Sequence, residues 1–187
     1  MASSDPMDDS RRAARIFVDN LGAFDRAFIA EFSSTNGSGY NELSQSFHGD
    51  QARLNSEIDQ IGRPSGGTPL WKSMIDSLER IAQSSGLGQK RALLTFSDGG
   101  DSGGLSPGTV IRSAVEKETR VYAINLSNSN SGEVDRIALE TGGSIFSTRD
   151  AAQLIDRYGV LGKLLAGASV KCEIRIRVTA PPALEGM

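Results

Sequence analysis

The side chain best placed to do chemistry is Asp98. It follows the apolar run Ala92-Leu-Leu-Thr-Phe96 and sits in the turn Ser97-Asp98-Gly-Gly-Asp101. A short apolar run closed by such a turn reads as a fully buried strand of a parallel sheet. Ligands of open α/β sheets bind just outside the carboxyl ends of those strands, which is where this carboxylate falls. It could face a ligand there, or brace the turn through its own backbone, as Asp-Gly turns do. Asp101 reads as a solvated loop residue or as a group standing behind whatever Asp98 meets. A nucleophile is the other candidate. Ser102 lies within Gly100-Asp-Ser-Gly-Gly104, and it would need a histidine as base and an acid to orient that base. The one histidine, His48, falls in the polar stretch Ser46-Phe-His-Gly-Asp50 and reads as a surface loop residue. Dinucleotide chemistry has no support: no G-x-G-x-x-G separates a first strand from a first helix.

Composition narrows the classes further. A chain of 187 residues fits one domain with a substantial core. A formal charge of −3 gives no electrostatic reason to expect nucleic acid as a partner. Cys172 is the single cysteine, so an internal disulfide and a cysteine-based zinc cluster are excluded. No apolar stretch approaches the roughly 20 residues that span a bilayer. Residues 1–10 lack the basic-then-apolar pattern of a signal peptide. The chain reads as soluble, with no membrane insertion and no compartment specified.

The elements that must position Asp98 follow from periodicity and punctuation. Residues 1–8 are polar and irregular. From about Asp9 to Leu21, Ala13, Ile16, Phe17 and Leu21 recur at helical spacing, and Gly22 supplies a stop. Ala27 to Phe32 reads as a strand, and Asn41 to Phe47 as a short polar edge strand. Asp50 caps a helix whose apolar side is Leu54, Ile58 and Ile61. Thr68 is placed as an N-cap and Pro69 as the first residue of a helix that buries Leu70, Met74, Leu78 and Ile81. Ser106-Pro107 repeats that signal before a helix carrying Val110, Ala114 and Val115. A strand over Val121–Leu126 precedes a helix over Gly132–Thr141, which Gly142-Gly143 stops before a short strand, Ser144–Ser147. Asp150 and Gln153 have capping-box spacing before a helix with Leu154, Ile155 and Tyr158, weakened by Gly159 and Gly162. Last, Cys172, Ile174, Ile176 and Val178 alternate with Lys171, Glu173, Arg175 and Arg177, a strand with one wet face.

Strands alternating with helices imply a doubly wound α/β domain, a mostly parallel sheet with helices on both faces. The extra C-terminal strand brings the single domain to residues 1–178, leaving 179–187 as a tail. This alternation argues against the paired β-barrels of trypsin-like serine proteases, in which Gly-Asp-Ser-Gly-Gly surrounds the nucleophile. A hydrolase using Ser102 is therefore the least favoured reading, and the chain is expected not to be an enzyme.

Two stretches carry a family resemblance. Gly66-Gly67-Thr68-Pro69-Leu70 and Ala92-Leu-Leu-Thr-Phe-Ser97-Asp98-Gly-Gly-Asp101 closely resemble two of the three signature segments of von Willebrand factor type A domains. Three more segments fit in the same order: Phe24 to Ser33, Arg120 to Leu126 and Leu139 to Phe146. The wording is most similar to bacterial members. The resemblance implies a Rossmann-like fold and a metal-ion-dependent adhesion site (MIDAS). In that family a D-x-S-x-S loop, a threonine and an aspartate hold a divalent ion, which takes a carboxylate from a partner protein. Thr68 matches the threonine and Asp98 the aspartate. Mg²⁺, or Mn²⁺ or Ca²⁺, would suit such oxygen ligands.

The first loop departs from that pattern. Spacing back from the first helix puts Ser3-Ser4-Asp5-Pro6-Met7 there, so Ser4 matches the first serine, Pro6 replaces the second, and Ala2 stands at the aspartate position. The strand that precedes this loop in the family is missing too, which would leave two neighbouring strands each unpaired along one edge. Two expectations follow. Either strand and aspartate belong upstream of the given start, or this is a degenerate domain acting without metal as an interaction or assembly module.

Overall fold

The computed structural model describes residues 6–32, 40–62, 69–84, 90–97, 101–125, 132–147, 156, 159–163 and 165. The expected strand over residues 172–178 and the tail lie outside them.

Helix α1 (Pro6–Asp19) starts earlier than its apolar spacing predicts. Proline accounts for the difference, since its fixed φ and missing N–H suit the first helical position. The helix rests on two layers of the molecule. Ala13 and Phe17 pack with Leu94, Phe96, Ile124 and Phe146. Ala14 and Val18 pack with Ala27, Ile29, Leu54 and Ile58.

A two-stranded antiparallel hairpin follows, β1 (Ala30–Glu31) with β2 (Asn41–Glu42). Both strands are shorter than expected because a bulge interrupts the ladder: the amides of Leu43 and Ser44 both donate to the Ile29 carbonyl at 3.0 Å. The Ile29 amide turns instead to Ser44 Oγ at 2.8 Å. Pairing resumes at the Ala27–His48 bridge. Helix α2 (Gln51–Asp59) begins as expected, with the Asp50 carboxylate accepting from the Arg53 amide at 3.0 Å.

Helix α3 (Leu70–Ser84) buries the stripe read from its sequence: Leu70, Met74, Leu78 and Ile81 are at most 7% exposed. Arg80 docks the hairpin onto this helix. Its guanidinium lies 5.2 Å from the centre of the Phe28 ring and donates to the Gln45 carbonyl at 2.7 Å. Tyr40 joins the same contact. Burial raises its phenol above the ordinary 10.0, and the Ser77 hydroxyl partly offsets that. A raised value in the fold means that the neutral phenol is the preferred form. Its contribution is complete below the unfolded value and lost as pH rises through the folded one. Tyr40→Phe should therefore flatten the fall in stability above about pH 10, measured by urea unfolding along an alkaline pH series.

The chain then winds through β3 (Arg91–Ser97), α4 (Pro107–Glu116), β4 (Thr119–Asn125), α5 (Gly132–Glu140) and β5 (Ile145–Ser147). The three strands form a parallel sheet in the order β3-β4-β5. Helices α3, α4 and α5 cover one face through Leu70, Trp71, Met74, Val110, Ala114, Val134 and Ile137. Helix α1 covers the other. Val115, grouped with the α4 stripe by sequence, is 58% exposed, because one residue beyond Ala114 turns it about 100° away from the core.

Strand β3 is not the fully buried strand its apolar run suggests. Val121 to Ile124 of β4 are at most 4% exposed, whereas Leu93, Leu94 and Phe96 of β3 are only half-buried under the same helices. The difference lies at the edge. Among the described residues β3 pairs with β4 alone, and the hairpin forms a separate sheet.

A last helical stretch, 159–163, packs on α1. Its glycines, which weaken it as a helix, permit close approach. A Cβ on Gly162 would lie 2.8 Å from Asn20 Cβ and 3.2 Å from the Phe17 carbonyl oxygen. A Cβ on Gly159 would meet only Ile16 Cγ2, at an ordinary 3.6 Å. Gly162→Ala should destabilise the protein by about 1–3 kcal/mol in thermal melts. Gly159→Ala should not, and equal losses in the two variants would refute this packing account.

Candidate functional site

Register brings the carboxyl ends of the parallel strands into one row. Ser97 pairs with Asn125, and Asn125 with Ser147. Helices α4 and α5 start just beyond β3 and β4, and α3, which runs back to the start of β3, begins at the same end. Helix N-termini carry positive partial charge, so this end of the domain favours an anionic group.

Two loops are joined here. The Trp71 amide, in the first turn of α3, donates to Asp101 Oδ1 at 3.1 Å. The Gly103 amide donates to Asp101 Oδ2 at 3.0 Å. The loop after β3 therefore lies against the start of α3. A Cβ on Gly103 would sit 3.4 Å from Pro69 Cα and 3.4 Å from Asp101 Oδ1. The first turn of α3 is further held by the amide and hydroxyl of Ser73, which donate to the Pro69 carbonyl at 3.0 and 2.8 Å. The helix begins at Leu70, one residue after the Pro69 start expected, and Thr68, its expected cap, lies outside the described residues.

Thr68, Asp98 and Ser4 themselves lie outside the described residues. What the structure fixes is their chain neighbours. Thr68 immediately precedes Pro69, and Asp98 immediately follows Ser97, which is 8% exposed at the end of β3. Asp101, three residues beyond Asp98 in the chain, bonds the Trp71 amide, two residues beyond Pro69. Its role was not legible in the sequence: Asp101-Ser-Gly103 shows a turn, but the amide it caps lies 30 residues upstream. It is not a solvated loop residue, because each carboxylate oxygen accepts a backbone N–H.

Among the described residues no group of three or more His, Cys, Asp or Glu side chains could hold a metal. The donor set that the resemblance implies is made of oxygens, the Asp98 carboxylate with the Thr68 and Ser4 hydroxyls. That set fits a hard divalent cation which keeps water in its remaining positions.

The nucleophile reading finds no histidine at Ser102. His48 is no surface loop residue: its side chain is 14% exposed, and Nε2 lies 3.2 Å from each carboxylate oxygen of Glu57. Ser44 Oγ donates to the same carboxylate at 2.5 Å, and Arg53 Nε donates at 3.1 Å. The backbone pairing of His48 with Ala27 holds the ring over α2. Among the described residues, no helix is long and apolar enough to cross a membrane.

Comparison with known proteins gives a consistent result. The family profile described as von Willebrand factor type A domain matches residues 2–158. No curated protein sequence matches. Among solved structures, von Willebrand factor type A from Catenulispora acidiphila is similar with a TM-score of 0.71 at 17% identity, over 86% of this chain and 38% of that one. An aerotolerance-related membrane protein from Bacteroides fragilis is similar at 0.65 and 13% identity, over 89% of each chain. Proximal thread matrix protein 1 from the mussel byssus, with a zinc-occupied MIDAS motif, is similar at 0.64 and 14% identity, over 88% of this chain and 43% of that one. The chain thus spans less than half the length of two of these three. At such identities the likeness is one of fold.

Proposed function

The chain belongs to the von Willebrand factor type A family, and from that premise we propose that it binds a partner protein by recognising an acidic side chain through a divalent cation at the carboxyl end of its parallel sheet. Members of the family generally mediate protein–protein interaction. The observation that carries the finer reading is the Asp101–Trp71 bond, which ties a residue three positions after Asp98 to the first turn of the helix that follows Thr68 in the chain. In this reading Asp98 supplies the charge, and Thr68 and Ser4 supply hydroxyl ligands. Bound there, the cation offers a coordination position to a carboxylate. The positive ends of α4 and α5 add to the attraction for that carboxylate. The zinc held by the mussel relative supports a metal at this end but leaves the ion's identity here open among Mg²⁺, Mn²⁺ and Ca²⁺.

The test is a thermal melt with and without millimolar Mg²⁺ or Mn²⁺, using Asp98→Ala as control. An ion that binds only the folded state at about 100 times its Kd stabilises by about 2.7 kcal/mol. The expected result is an upward shift that Asp98→Ala abolishes while still unfolding cooperatively. A cooperative melt that no cation moves would overturn the metal-dependent reading.

One observation favours a second reading, a metal-independent assembly module. Strand β3 is apolar on both faces and has one strand neighbour among the described residues, so its other edge offers a template for a strand from a second copy. Sedimentation at increasing concentration decides this. Oligomers that grow with concentration support assembly, and a single monomeric species refutes it.

A further inference from the structure

We propose that Asp101 is a positioning residue for the cation site, clamping the Asp101–Gly103 turn after β3 to the start of α3. The inference rests on the metal-dependent reading above and adds to it a residue outside the ligand set.

Three observations support it. The two oxygens of one carboxylate are divided between two segments: Oδ1 takes the Trp71 amide of α3, and Oδ2 takes the Gly103 amide of its own loop. A bidentate arrangement of this kind fixes orientation as well as distance, and hydrogen bonds to an ionised acceptor are roughly twice as strong as neutral ones. Next, a Cβ built on Gly103 would reach Pro69 Cα at 3.4 Å, an ordinary contact distance, so the two segments lie side by side at this point. Finally, Trp71 beneath the clamp is 2% exposed in the core beside Leu70 and Met74. The first turn of α3 is thus anchored from below, and Asp101 ties the Asp101–Gly103 turn to it.

Charge gives the clamp a second effect. An unneutralised helix N-terminus is positive and would repel a cation placed beside it. The Asp101 carboxylate offsets that potential at α3 while its oxygens are engaged by amides. It therefore favours a nearby cation without serving as one of its ligands.

Residue-resolved amide exchange and a Mn²⁺ titration, followed through the fluorescence of the single tryptophan, test the proposal on the wild type, Asp101→Asn, Asp101→Ala and Asp98→Ala. In Asp101→Ala the Trp71 and Gly103 amides should exchange at least about tenfold faster, with the mid-helix Leu78 amide unchanged, and Mn²⁺ affinity should fall about tenfold or more. Asp101→Asn retains a single carbonyl acceptor and loses the charge, so it should fall between the wild type and Asp101→Ala in both readouts. If Asp101→Ala does not melt cooperatively, Asp101→Asn carries the same comparison. Unchanged exchange at Trp71 and Gly103 would show that the clamp does not exist. Faster exchange with unaltered Mn²⁺ affinity, where Asp98→Ala has lost binding, would reduce Asp101 to a helix cap and overturn the proposal. A wild type that binds no Mn²⁺ would remove the metal-dependent reading and this proposal with it, and the wild-type titration alone distinguishes that outcome from failure of the clamp.

Discussion

Gly143→Ala lowers the stability of the fold by about 3 kcal/mol or more, the largest loss expected from removing no contact at all. A Cβ at this position would stand 1.8 Å from the Val121 carbonyl oxygen and 2.7 Å from its carbonyl carbon. Neither partner can yield. Val121 is held in the ladder opposite Leu93, and its amide donates to Thr141 Oγ1 at 3.0 Å. Gly143 is fixed by the end of α5, where its amide donates to the Ala138 carbonyl at 2.9 Å and the Gly142 amide to the Leu139 carbonyl at 3.1 Å. That pair of bonds is a Schellman motif, and Gly142, at φ +74°, is its left-handed residue. The two glycines thus answer different demands, conformation at 142 and space at 143. Gly142→Ala should cost only the penalty of a left-handed non-glycine residue, roughly 1–2 kcal/mol. In a protein of this size each kcal/mol moves the melting temperature by roughly 2–4 °C. Circular-dichroism melts should therefore rank wild type above Gly142→Ala, and Gly142→Ala above Gly143→Ala. A Gly143→Ala protein that melts with the wild type would mean that β4 and the α5–β5 turn are not packed as described.

The contrast between these glycines shows what a sequence can carry. Gly142-Gly143 marks a helix stop in any reading, and helix α5 ends there. The doublet does not say that its second member lies against a strand 22 residues back. Strand β4 and the stripe of α3 were legible because periodicity and apolar content are local, and burial followed them. Strand β3 has the same apolar content but is half-buried, since burial at an edge depends on a neighbouring strand and no local pattern encodes that neighbour. The two strands of the hairpin were legible as strands but overdrawn, because the bulge at Leu43 and Ser44 leaves no mark in composition. His48 as a surface loop residue, and the solvated alternative for Asp101, fail for one reason. Polar residues in polar stretches look solvated until the fold supplies a partner far away in the chain.

Glu57→Ala is the second large effect, and it shows how much of the hairpin's attachment rests on one carboxylate. Glu57 is 4% exposed. It accepts from Ser44 Oγ and Arg53 Nε and stands against His48 Nε2, so three side chains from two segments converge on it. Removing one member of a buried charged pair costs about 3–5 kcal/mol when the remaining charge is stranded. Here Arg53, 46% exposed, can turn to water, while Ser44 and His48 cannot readily do so. The expected loss is therefore about 3 kcal/mol, at the low end of that range. Glu57→Gln keeps an acceptor and the shape and should lose less. Because Ser44 Oγ also accepts the Ile29 amide, the loss should propagate into the bulge. Exchange at Ile29 should then rise in Glu57→Ala while exchange at Val121, in the other sheet, follows only the change in global stability. A double-mutant cycle with His48→Ala measures the shared part and should give a coupling of roughly 0.5–3 kcal/mol. Additive losses would mean that Glu57 and His48 are neighbours without being partners, and that the hairpin is held by Arg80 and its apolar contacts instead.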